Sequence, residues 1–170
     1  EHELIAPGEI RFVAHAMVVP TADPEDVKRH DEEIEAVAMR VARAAEEAAG
    51  AVVKDVSKPE LARAAGLGDW PGFDLLAKYS TGDDRAIEVK GRAGTGDVEI
   101  SENEWAKACN LRYRYWLYVV FDCATPVPRL VRVRDPFGSL LAKAKGSMLL
   151  SYASIQEAVD SSMKGGQHSC

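Results

Sequence analysis

Two segments carry residue types and spacing that could do chemistry: Gly72-Phe73-Asp74 and Ile87-Glu88-Val89-Lys90-Gly91. Along an extended strand successive side chains alternate between faces, so Glu88 and Lys90 point one way while Ile87 and Val89 point the other. The intervening Ser80-Thr81-Gly82-Asp83-Asp84 is made of turn formers, and the pair therefore reads as a β-hairpin. With a turn near Thr81 or Gly82, opposed residue numbers sum to about 162 to 164, which sets Asp74 across from Glu88 or Lys90 on one face. Two carboxylates and a lysine gathered in this way suit a hard divalent cation bound through oxygen, with positions left for water and a substrate phosphate. The metal would polarise the phosphate and make its bound water more acidic, and the Lys90 ammonium would orient that water or offset developing negative charge. The same residues also suit a cross-strand ion-pair cluster on a solvated hairpin, the commoner use of such pairs.

The elements that must position these groups follow from periodicity. Asp31 to Ala49 is rich in Ala and Glu, with apolar residues at helical spacing, and Gly50 ends it. Ala51 to Val56 reads as a short strand, and Ser57 to Pro71 as a loop with one helical turn around Leu61 to Ala65. After the hairpin, Gly91 to Asp97 is a Gly-rich loop, expected to be a flexible lid rather than a nucleotide-binding loop because it lacks the lysine-serine ending and the full glycine spacing. Ser101 and Glu104 form a capping box that opens a helix to about Leu111 or Tyr113. Tyr115 to Asp122 is a nearly continuous apolar run, the mark of a strand covered on both faces. Arg129 to Arg134 alternates Arg with apolar residues and predicts a strand with one wet face. Ala153 to Met163 predicts a last helix, and Ile10 to Val19 an outlying strand. The order implies an α/β fold, a mixed β-sheet flanked by helices. The expected organisation is an arm and linker over residues 1–30, one domain over 31–163 and a tail over 164–170.

Composition bounds the function. The 170 residues are 46% apolar and 28% charged, which excludes collagen-like, low-complexity and disordered classes. No apolar run approaches the length of a membrane span, no basic-then-apolar leader opens the chain, and Cys109, Cys123 and Cys170 form no CxxC pair. A cytoplasmic location, away from any membrane, is therefore expected. The start at Glu1 and the polar end from Gly165 to Cys170 suit a piece excised from something longer. The net charge of −6 argues against a surface that grips nucleic acid all over. The total hides a gradient: residues 1–60 are net −7, whereas 105–145 are net +6. That basic stretch suits a phosphate-facing side or, equally, solvated strand and helix faces. The four histidines share no metal-ligand spacing and sit in no motif, so no Ser/His/Asp or Cys/His arrangement is expected.

The acidic residue, hairpin and Glu-x-Lys, preceded by a Glu-bearing helix, resemble the PD-(D/E)XK nuclease superfamily. More closely, Gly72-Phe73-Asp74 and Ile87 to Arg92, followed by Glu104-Trp105 and Tyr115 to Val120, resemble the domain named for the C-terminal part of the plant protein NO VEIN, over roughly residues 31–160. The resemblance implies a restriction-endonuclease-like sheet, Mg²⁺ or Mn²⁺ as cofactor and DNA as substrate. It makes Asp74 and Glu88 metal ligands, Lys90 the catalytic lysine and the main-chain carbonyl of Val89 a further ligand. The helix should add a carboxylate; Glu46, Glu47 and Glu35 are available, and Glu46 is favoured by its nearness to the following strand. The short Pro-Asp form of the motif is absent, since Gly72-Phe73 precedes Asp74. Arg92, Lys107, Arg112, Arg114, Arg132 and Arg134 are the expected backbone contacts. The resemblance further implies fusion to a helicase or ATPase module in a restriction or phage-defence setting, with a homodimer among the possible assemblies. The competing expectation is a non-cleaving module that binds nucleic acid or docks a partner protein.

Overall fold

The computed structural model describes residues 24–140, 142–144 and 148–165. The expected strand at Ile10 to Val19 and the end of the tail lie outside the described residues. Helix α1 (Pro24–Ala48) begins seven residues before the expected Asp31. Proline is tolerated in a first helical turn. Ile34, Ala38, Ala42 and Glu46 recur every fourth residue and form its buried stripe. Gly50, at φ +89°, ends it: its N–H reaches the Glu47 carbonyl and that of Ala51 reaches Glu46, a Schellman closure.

Strands β1 (Val52–Asp55), β2 (Leu75–Lys78) and β3 (Arg85–Gly91) follow, with the short α2 (Pro59–Ala64) between the first two. The chain then passes through β4 (Val98–Ile100), α3 (Glu102–Leu111) and a 3-10 turn (Arg112–Arg114) into β5 (Tyr115–Phe121) and β6 (Arg129–Arg134). The main sheet has the order β1-β2-β3-β5-β6, with β3 and β5 parallel and every other pair antiparallel. The fold is thus the anticipated mixed α/β sheet flanked by helices. Buried side chains of β5 point to both faces: Tyr118 and Val120 join the core under α1, while Leu117, Val119 and Phe121 join the opposite core.

Four elements are additional to those expected: β4, α4 (Pro136–Ser139), β7 (Ala142–Ala144) and β8 (Met148–Leu150). Each is three or four residues long, too short to show a period. β4, β8 and β7 form a second antiparallel sheet, and α5 (Tyr152–Gly165) closes the chain. The Gly-rich segment is also not a free lid. Arg92 N–H donates to Val120, and the N–H groups of Asp122, Cys123 and Ala124 donate to the carbonyls of Gly94, Arg92 and Ala93. These bonds lace the loop to the turn after β5.

Candidate functional site

The hairpin register pairs Leu75 with Ile87, so that Asp74, one residue before β2, comes opposite Glu88. Gly72 makes the entry possible. It has φ +78°, and a Cβ there would come within 3.0 Å of the Lys107 Cβ. Proline, fixed near φ −65°, could not take that conformation. The Tyr115 hydroxyl donates to the Gly72 carbonyl at 2.9 Å, and the Val89 N–H donates to Asp74 Oδ2 at 2.9 Å. The second bond holds the carboxylate against the strand and leaves its other oxygen available.

Asp74, Glu88, Val89, Lys90 and Arg92 line one cleft of about 480 Å³, together with Asp31, Glu35 and Met39 of α1 and Glu104 of α3. Lys90 Nζ lies 2.7 Å from Glu88 Oε1 and 3.0 Å from Glu104 Oε2. Glu104 also closes the predicted capping box, accepting from Ser101 N–H at 2.9 Å. Sequence reasoning placed it at the helix start and missed its contact with Lys90. The signal was present, because a capping-box glutamate turns back toward the segment before its helix.

Electrostatics follow from burial. Glu88 is 2% exposed. Desolvation first, and the charge of Asp74 second, push its carboxyl well above the ordinary range. Burial likewise raises Asp74 to about 6, opposed by the Val89 N–H and Lys90 and reinforced by Glu104 and Glu35. Burial disfavours the charged form of Lys90, but the two glutamates outweigh it and its pKa is raised. Lys90 is therefore a fixed cation at neutral pH, suited to offsetting negative charge and unsuited to acting as a base. Burial also opposes charge on Glu104, yet Lys90, Ser101 and Glu88 prevail and hold it below the usual glutamate range.

Glu46 takes a different place. It is 1% exposed and accepts from the hydroxyls of Tyr79 (2.6 Å) and Tyr118 and from Arg85 Nη1 (3.2 Å). It does not line the cleft; the helix carboxylates that do are Asp31 and Glu35. Among the described residues, no three His, Cys, Asp or Glu side chains are grouped to hold a metal ion. The donors at hand are the carboxylates of Asp74 and Glu88, with the Val89 carbonyl on the same strand. Their hard oxygens and burial-raised proton affinity suit a dication that keeps most of its coordination for water and substrate.

The basic residues do not share one side. Of the six expected backbone contacts, Arg92 alone lines the cleft. Lys107 packs by Gly72, and Arg112 pairs with Asp135 at 3.2 Å. Arg114 is exposed on the turn, and Arg132 and Arg134 are exposed on β6.

Fold and site together define an α/β domain with an acidic cleft built around a buried glutamate paired with a half-buried lysine. The chain belongs to the family described as Protein NO VEIN, C-terminal, whose model matches residues 34–133. No curated protein and no solved structure matches it. Among the described residues no helix is long and apolar enough to cross a membrane.

Proposed function

We propose that this domain is a PD-(D/E)XK-type, metal-dependent nuclease module that hydrolyses DNA phosphodiester bonds within a larger helicase-linked restriction or phage-defence protein. The single observation that carries this reading is the meeting of Asp74, Glu88 and Lys90 in one cleft, with the Val89 N–H fixing Asp74. Asp74 and Glu88 would hold Mg²⁺ or Mn²⁺, with the Val89 carbonyl as a further donor. The metal supplies polarisation of the phosphate and a more acidic water. Lys90, kept protonated by Glu88 and Glu104, neutralises charge that builds on the phosphate oxygens. Glu104 positions Lys90, and Arg92 meets a neighbouring phosphate from the rim.

The test is calorimetry with Mg²⁺ and Mn²⁺ on wild type and Glu88→Ala, with plasmid and single-strand cleavage assayed on the same samples. Binding lost in the variant, and cleavage by wild type only with metal, is the expected result. Absence of both binding and cleavage overturns the reading.

A second reading, a non-cleaving module that holds nucleic acid or docks a partner, is favoured by the closure of Lys90 between two glutamates. Under it Lys90→Met leaves the function of the parent protein intact.

A further inference from the structure

The end of the main sheet away from the cleft carries a row in which guanidinium groups and aromatic rings alternate. Arg85, at the start of β3, sits over two rings, with its guanidinium carbon 4.7 Å from the centroids of both Tyr79 and Trp116. Arg134 continues the row, 5.6 Å from Trp116 and 5.8 Å from Tyr113, and Arg132 lies over Tyr118 at 5.6 Å. Strand pairing sets these spacings, since Trp116 is opposite Arg134 and Tyr118 opposite Arg132. Beneath them the buried Glu46 carboxylate holds Tyr79, Tyr118 and Arg85. Arg134 is further fixed by its Nε bond to the Tyr113 carbonyl at 3.0 Å. The row is therefore built before any ligand arrives.

Its outer members are free to meet one. Tyr113 is 66% exposed, Arg132 and Arg134 are exposed, and among the described residues no carboxylate pairs with either arginine. A positive, ring-bearing strip on a chain of net charge −6 is complementary to a polyanion that also offers flat faces. We propose that this row binds single-stranded DNA, with bases stacked on Tyr113 and the guanidinium planes and phosphates held by Arg132 and Arg134. A duplex keeps its base faces inside the stack, whereas an open strand presents them. The inference rests on the DNA-directed reading above and adds the state of the strand. Arg85 and Lys90 are five residues apart on β3, about 17 Å, and by alternation their side chains lie on opposite faces of the sheet, Arg85 toward Glu46 and Lys90 toward Glu104, so binding on the row is read independently of the cleft.

The experiment measures anisotropy of a labelled mixed-sequence 15-mer and of its duplex, without metal, so that binding is read apart from cleavage. Wild type and Glu88→Ala should bind the single strand at least about tenfold more tightly than the duplex. Tyr113→Ala should lose about five- to tenfold, as expected for one stacked base. Arg132→Gln with Arg134→Gln should weaken binding further and lower the salt slope by about 1.4, two phosphates' worth. Circular dichroism and melting of each variant check the fold. Equal affinity for duplex, competition by a polyglutamate peptide as strong as by the oligonucleotide, or variants within twofold of wild type overturns the proposal. Metal-dependent cleavage with unaffected variants refutes the row and keeps the nuclease; selective binding without cleavage does the reverse.

Discussion

Asp74 and Glu88 face each other across the hairpin, and both carboxyls are held above their ordinary range by burial. A carboxyl whose proton affinity rises on folding favours the folded state when protonated. For Asp74 that contribution is complete below about pH 4 and lost as the pH climbs through about 6. Asp74→Asn, which keeps an acceptor for the Val89 N–H, should therefore stabilise the metal-free protein at pH 8, by about 2 to 3 kcal/mol at most, and change little at pH 4. Thermal melts of the two proteins at both pH values check it. The same substitution should abolish metal binding, so that stability and proposed function move in opposite directions. Both site carboxylates and Lys90 were legible in the sequence, because a hairpin with a short turn fixes which side chains share a face. The contact of Lys90 with Glu104 was not, since it depends on where α3 packs.

At the scale of elements, α1 meets the site strand at Gly91. A Cβ there would come within 3.0 Å of the Ile34 carbonyl oxygen and Cγ2, and within 3.1 Å of the Ala38 Cβ. Gly91→Ala should push α1 off the strand, cost about 1 to 3 kcal/mol and weaken metal binding by loosening the Lys90 end of β3; melting and calorimetry report the two effects. The same helix explains the misplaced carboxylate. Glu46 lies eleven residues beyond Glu35, about 16 Å along the axis, so the two cannot serve one cleft. Nearness in sequence to the next strand favoured Glu46, whereas the buried stripe ending at that residue pointed to a role in the core. Strands β4, β7 and β8 went unread for another reason. Three residues hold less than two full alternations, and the pairing of β4 with β8 is decided across some fifty positions of the chain, although β7 and β8 are near neighbours.

For the molecule as a whole, the basic stretch from 105 to 145 suited either one phosphate-facing side or separate solvated faces, and its described arginines and Lys107 are divided among α3, a turn and the outer strand. Alternation and helical rotation send sequence neighbours in different directions, and charge counts carry no such information. The buried Glu46 network should behave as a stability element. Glu46→Ala leaves Arg85 and two phenols without their common acceptor and should cost about 3 to 5 kcal/mol, while Mg²⁺ binding in the cleft persists; denaturant melts and calorimetry separate the two. Mg²⁺ at a hundred times its dissociation constant should add about 2.7 kcal/mol to wild-type stability and nothing to Glu88→Ala.

The second sheet links distant parts of the chain. β4, just beyond the laced Gly-rich segment, pairs with β8, and Asp97 accepts the N–H of Tyr152 at 2.9 Å. The rim beside Arg92 is thereby stapled to a segment some fifty residues later. Amide exchange at Val98 and Ile100 should accelerate together with that at Leu150 when β8 is displaced, one cooperative opening unit spanning both. Whatever tugs on the residues after β8 would then be felt mechanically at the mouth of the cleft, so that a neighbouring module attached there would hold a lever on the site.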